Sequence, residues 1–125
     1  MKHLFLTMIL LMGSVMASYA VEITPVINAF NKGDASAIRQ NMNEEVDLAL
    51  PGVTKKCNPA EAVSQLNAFF GKAKPSGFSV LHHADKKESG FLVGKLPTSA
   101  GEYRVNITYK TDDNNKAIIQ SIRIE

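Results

Sequence analysis

The stretch from Asn58 to Pro75, NPAEAVSQLNAFFGKAKP, constrains the fold more than any other part of the chain. Asn58 is suited to cap a helix by accepting a hydrogen bond from the backbone N–H of residue 61. Pro59 then takes the first helical position, where its missing N–H costs nothing, and Glu61 can reach back to complete a capping box. Ala62, Leu66, Phe69, Phe70 and Ala73 recur at helical spacing with Val63 beside them, so one side is a continuous apolar stripe. Gly71, Lys72, Lys74 and Pro75 are expected to end the helix. A stripe finishing in two adjacent phenylalanines has to be covered, and the second half of the chain supplies the cover.

That second half has the texture of strands. Phe78, Val80 and His82 alternate with Ser79, Leu81 and His83, and FLVGKL after Gly90 is apolar on both faces. Gly94 there marks a bulge or a close contact. Tyr103, Val105, Ile107 and Tyr109 alternate with Arg104, Asn106, Thr108 and Lys110, the cleanest amphipathic strand in the sequence. Pro97 and Gly101 bracket one hairpin loop, and Asp112 to Lys116 is a polar turn leading to a last strand in which Ile118, Ile122 and Ile124 share a face with Gln120. Four consecutive strands joined by short polar turns predict an antiparallel meander.

Upstream, Ile23, Val26, Ile27 and Phe30 fall at helical spacing, with Pro25 tolerated in the first turn and Gly33 closing the helix. Asp34 or Ser36 is placed to cap a second short helix carrying Ala37, Ile38 and Met42. Val46, Leu48 and Leu50 alternate as a half-buried strand, Pro51-Gly52 turns, and Val53 to Cys57 returns. The expected fold is therefore α+β: a curved antiparallel sheet lying over one long helix, with two small helices at the front.

Residues 1–20 are expected to be a cleaved signal peptide, and 21–125 a single α+β domain. Lys2 gives a short positive region and Leu4 to Met16 an apolar run too short for a comfortable membrane span. Ser18 and Ala20 put small residues at positions −3 and −1 before Val21. The expected location is outside the cytoplasm, periplasmic or secreted, since both destinations begin with the same signal, and no membrane span remains after cleavage. Cleavage removes only Lys2 among the charged residues, so 13 basic residues face 12 acidic ones. That balance, with no basic block and no aromatic-basic interleaving, gives no support to a nucleic-acid partner. Cys57 is the single cysteine, so no disulfide framework exists within the chain. It reads as a small buried hydrophobe ahead of the helix, with an intermolecular disulfide or a reactive thiol as the sharper alternatives.

These pieces together resemble a family of small secreted bacterial proteins of unknown function with the cone-shaped fold of nuclear transport factor two, also called cystatin-like. The resemblance is carried by NAFNKGDASAI in the opening helices, the strand VDLALPG and the helix ending NAFF. GFSVLHHADKKESGFLVGKLPTSAGEYRVNITYK and the isoleucine-rich final strand carry it onward, so it covers nearly the whole chain after residue 20. It implies a bent sheet whose concave face, closed by helices, makes a pocket. Members of the wider superfamily use such a pocket as dehydratases, isomerases or ligand-binding modules, and the fold alone selects none of these.

The residues contain no recognisable catalytic set. Enzymes on such cones place an aspartate with a histidine or tyrosine in the pocket, and the candidates here are Asp47, His82, His83, Tyr103 and Tyr109. Asp47 alternates away from Val46, Leu48 and Leu50 and is expected in solvent. His82 and His83 are strand neighbours pointing to opposite faces, so they cannot grip one metal ion, and no metal or other cofactor is expected. His82 shares the alternation of Phe78 and Val80 and is read as the inward one, in a structural role or as a ligand or proton-transfer group. Lys95 is either an inward charge or a snorkelling one, and Tyr103 and Tyr109 are core residues with hydroxyls at the rim. The leading expectation is a non-catalytic exported module binding a small apolar ligand or a protein partner, with His82, Lys95, Tyr103, Tyr109 and Phe70 as ligand-contacting residues. The rival is a small pocket enzyme of isomerase or dehydratase type using Asp47 or His82 with a tyrosine. Dimerisation through the outer sheet face is compatible with either.

Overall fold

Asn58 starts the central helix as its chemistry dictates: its Oδ1 accepts the Glu61 N–H at 2.8 Å, and Pro59 follows as the first helical residue. In the computed structural model, which describes residues 23–86 and 88–125, this helix is α2, Pro59–Lys72. Gly71 lies inside α2, and the chain leaves helical geometry at Ala73. The exit is stitched to a distant hairpin, with the Lys74 N–H donating to Ser99 Oγ at 3.0 Å and the Ser99 N–H to the Lys74 carbonyl at 2.9 Å. Glu61 turns towards Lys55, its carboxylate 2.6 Å from the ammonium.

The front of the domain is α1, Thr24–Lys32, closed by Gly33 in the left-handed conformation. A 3-10 helix, Ala35–Asn41, follows, capped by Asp34, whose Oδ1 accepts the Ser36 N–H at 3.0 Å. An α-helical spacing through Ala37, Ile38 and Met42 does not form. With three residues per turn it is Ala35 and Ile38 that share the buried side. Ala37 is exposed, and Met42 opens the first strand.

Six strands form one curved sheet: β1 Met42–Leu50, β2 Val53–Cys57, β3 Ser79–Asp85, β4 Ser89–Thr98, β5 Gly101–Thr111 and β6 Ala117–Ile124. Their order is β2-β1-β6-β5-β4-β3. The expected meander holds from β3 to β6, but β6 lies parallel to β1, so the sheet is mixed at its centre. The last turn is built by Asp112, whose Oδ1 accepts the N–H groups of Asn114 and Lys116, while Asn115 takes a positive φ of 61°.

Two register shifts correct the simple alternation. In β6 the ladder to β5 slips beside Gln120, so Ala117 and Ile119 face inward before it and Ile122 and Ile124 after it. Ile118 does not share the buried face. In β3 the ladder slips between Val80 and His82, so His82 pairs with Val93 on the outer side of the sheet rather than following Val80 inward. A one-residue insertion exchanges every following side chain between faces.

The inner face packs under the helices. Ala62, Leu66 and Phe70 of α2 and Val26, Ala29 and Phe30 of α1 meet Val46, Leu48, Leu92, Leu96, Val105, Ile107, Ile119 and Ile122 of the sheet. Aromatic rings form a chain through this layer: Phe78 lies 5.3 Å from Phe30, Phe30 5.7 Å from Phe70, Phe70 5.9 Å from Phe69 and Phe69 5.2 Å from Tyr103. Two glycines of β4 make room for rings lying flat on the strand. A Cβ at Gly94 would sit 2.3 Å from Phe78 Cζ, and one at Gly90 2.7 Å from Tyr109 Cε1. The signal peptide expected over residues 1–20 lies outside the described residues. No described helix is long and apolar enough to cross a membrane.

Candidate functional site

The five residues expected to touch a ligand are divided between the two faces of the sheet. Phe70 is buried in the aromatic chain, and Tyr103 packs edge-on against Phe69 at 5.2 Å. Tyr109 is buried over Gly90 and donates its hydroxyl hydrogen bond to Asp85. All three rings lie on the helix side. Lys95 is exposed on the other side, its ammonium 3.5 Å from Glu102 Oε1. His82 is exposed there too, its ring 5.4 Å from that of Phe91.

Asp47, the aspartate of the pocket-enzyme reading, is also exposed on that outer side, paired in the ladder with Lys56 and Ser121. Asp47 and His82 are therefore separated by the sheet from the rings of Tyr103 and Tyr109. The aspartate that meets a tyrosine is Asp85. Its signal in the sequence is indirect: Asp85, Gly90 and Tyr109 are ladder neighbours on three adjacent strands, and the glycine between them lets the ring cross to the aspartate. Burial foremost, then the hydrogen bond to Asp85 and its charge, holds the Tyr109 phenol well above the usual tyrosine range. A phenol held protonated in a packed core is a structural clasp. Its proton stays on the phenol at neutral pH and is held in the hydrogen bond to Asp85.

Cys57 is buried and unpaired. Burial, reinforced by Glu61 and opposed by Lys55, pushes its thiol up, away from the thiolate a nucleophile needs. Among the described residues no group of three His, Cys, Asp or Glu side chains converges as a metal site.

Among the described residues, space that a ligand could enter opens on the outer face. A depression of about 740 Å³ opens there, lined by Asp47, Thr54, Arg104, Asn106, Ser121 and Arg123 among others. A second, of about 360 Å³, adjoins it through Arg104 and Glu125 and is lined also by Leu81 and Lys95. Strand register explains this lining. One row across the sheet reads Lys56, Asp47, Ser121, Thr108, Phe91, Ala84; the next reads Thr54, Ala49, Arg123, Asn106, Val93, His82. Lys95, Arg104 and Glu125 begin a third row, with Arg104 and Glu125 exchanging backbone hydrogen bonds of 2.7 and 3.0 Å. The face is thus polar and charged over β2, β1, β6 and β5, and apolar where β4 meets β3. Leu81, 57% exposed, stands at the apolar end.

Charge within the groove is only partly matched. Lys56 pairs with Glu45 at 3.6 Å, Lys95 with Glu102 and Lys55 with Glu61. Arg104 and Arg123 have no carboxylate within ion-pair distance among the described residues. Thr108 and Ser121 satisfy each other through their hydroxyls.

A model of the domain of unknown function DUF4783 matches residues 23–125 of this chain. A solved DUF4783 family protein from Bacteroides ovatus is 35% identical, with a TM-score of 0.75, covering 81% of this chain and 91% of its own. Two more distant structures show the same fold. A Silicibacter pomeroyi protein described as having a cystatin-like fold is 15% identical, with a TM-score of 0.59 over 82% of this chain and 70% of its own. An NTF2-like protein of unknown function from Cytophaga hutchinsonii is 12% identical, with a TM-score of 0.57 over 82% and 84%. No curated protein matches the chain.

Proposed function

The chain belongs to the DUF4783 family, a domain of unknown function, and from that premise we propose that it is an exported, non-catalytic binding module that works through the outer face of its sheet. The observation that carries this reading is the placement of space. The helix side is filled by interlocking aromatic rings, whereas the depression of about 740 Å³ opens on the side away from the helices. Ligand sites are concave and few per protein, so the occupant is sought where the concavity is.

An apolar ligand held under the helices would displace Phe30, Phe70 or Phe78 from their contacts. A ligand on the outer face meets side chains that already face water and costs no repacking. The pocket-enzyme reading finds less support, since Asp47 and His82 lie exposed on one face and the tyrosine rings on the other. NTF2-like folds commonly bind ligands, and the proposal differs in where on the fold the ligand sits.

Native mass spectrometry of the mature protein recovered from its exporting host tests the reading, with Asn106→Trp as the groove-filling variant. The expected result is a stoichiometric added mass, small molecule or protein, that disappears in Asn106→Trp while circular dichroism shows the fold intact. An added mass that persists in that variant, or none in either protein, overturns the outer-face assignment. Export itself is read from the mass of the recovered chain, expected to begin at Val21.

A further inference from the structure

We propose that the outer-face groove takes a free amphiphilic carboxylate, with its anionic group on Arg104 and Arg123 and its apolar part reaching Leu81. This rests on the outer-face reading above and names the chemistry of its occupant.

The head site follows from the ladder. Arg104 is the direct partner of Glu125, just past β6, so Arg123, two residues earlier on the same face, is its diagonal neighbour. Diagonal Cα atoms lie about 7–8 Å apart, within the combined reach of two guanidinium side chains converging on one anion. Asn106 sits beside Arg123 in the ladder and next but one to Arg104 along β5, so its amide is the neutral donor between the two cations. Glu125 borders Arg104 without closing an ion pair. Guanidinium forks match a carboxylate's two oxygens, and an arginine pair with no carboxylate of its own is the charge complement of one.

The tail site follows from the same row. Asn106 pairs with Val93, and Val93 pairs with His82, whose ring leans on Phe91. Beyond lies Leu81, which lines the second depression and is more than half exposed. From β6 to β3 is three strand spacings, about 14–15 Å, a path that begins in cations and ends in exposed apolar surface. The two depressions meet at Arg104 and Glu125, and the second runs beside Lys95 and Glu102 to Leu81, so the floor from the cations to Leu81 passes alongside Val93 rather than over it. A purely polar anion leaves Leu81 uncovered, and a neutral apolar molecule leaves both arginines unmatched. An amphiphilic carboxylate satisfies both ends.

The test is a titration of the mature protein with octanoate, acetate and octanol, followed by amide chemical-shift changes and calorimetry. Octanoate is expected to bind at one site with shifts centred on β4, β5 and β6. Arg104→Gln and Arg123→Gln should each weaken it about tenfold or more, the loss of a charge-assisted contact. Lys110→Gln, an exposed cation on the same strand but outside the groove lining, should leave it unchanged. Octanol binding as well as octanoate overturns the anionic head, and acetate binding as well overturns the apolar tail. Octanoate affinity indifferent to both arginine variants, no octanoate binding, or a bare second copy of the chain occupying the face also overturns the proposal. A neutral occupant recovered from the host and lost in Asn106→Trp would keep the outer-face module and remove only this chemistry.

Discussion

The two faces of this sheet are written by the same strands and have opposite fates. Leu92, Leu96, Val105 and Ile107 point under the helices and are fully buried, while their immediate neighbours Lys95, Arg104 and Thr108 stand in water. Each large side chain taken fully from solvent contributes on the order of 1.5–3 kcal/mol, so the folding energy is concentrated on the inner face. The outer face adds little to stability, which leaves its chemistry free to be set by something other than the fold. The comparison breaks or holds on paired substitutions. Leu66→Ala, from a fully buried position of α2, should cost about 2–5 kcal/mol in urea unfolding. Asn106→Ala on the outer face should stay within about 0.5 kcal/mol. Comparable losses would mean that the outer face is part of the scaffold.

How much of each face was legible in the sequence follows from the same division. The inner face announced itself through Asn58 and Pro59 at the head of α2, the Leu66–Phe70 stripe, and the Tyr103–Tyr109 alternation, because burial needs apolar residues at a fixed period. What alternation cannot reveal is a slip in register. The shifts at Val80/His82 and beside Gln120 depend on the partner strand, so alternation alone puts His82 on the inner face and Ile118 in the buried row, where the structure has neither. The parallel pairing of β1 with β6 is a long-range choice that short polar turns do not encode. On the outer side Lys95 is legible as a charge among apolar neighbours, but nothing in the spacing marks Arg104 and Arg123 as a pair. Their proximity exists only once β5 and β6 are in register.

The contact between a glycine and a ring sharpens the inner-face argument. Gly94 looked in the sequence like a bulge or a close approach, and it is the approach: Phe78 lies across it, with its ring where a Cβ would be. Gly94→Ala should therefore cost about 1–3 kcal/mol, since both the ring and the strand are held by their neighbours. Phe78→Leu in the same chain should reduce that cost below its value in the parent, a coupling that a double-mutant cycle reads directly. Additive losses would show that Gly94 is required for the backbone of β4 rather than for the ring above it.

The smallest of the inner-face losses at neutral pH concerns Tyr109, whose side chain ties the inner face to Asp85 at the edge strand. Tyr109→Phe removes one hydrogen bond, worth about 1 kcal/mol near pH 7. The larger difference appears in alkali. Burial and the Asp85 carboxylate hold the folded phenol protonated above its ordinary pKa, near 10, whereas the unfolded chain titrates at that ordinary value. The raised folded pKa means that this contribution is fully present below about pH 10. Above it the unfolded state binds fewer protons than the native one, so stability falls as pH rises towards the folded pKa. The parent should lose stability more steeply than Tyr109→Phe from about pH 10 upwards, with the two curves converging or crossing. Parallel curves would mean that the phenol titrates freely in the folded state, and the clasp between Tyr109 and Asp85 would then have to be given up.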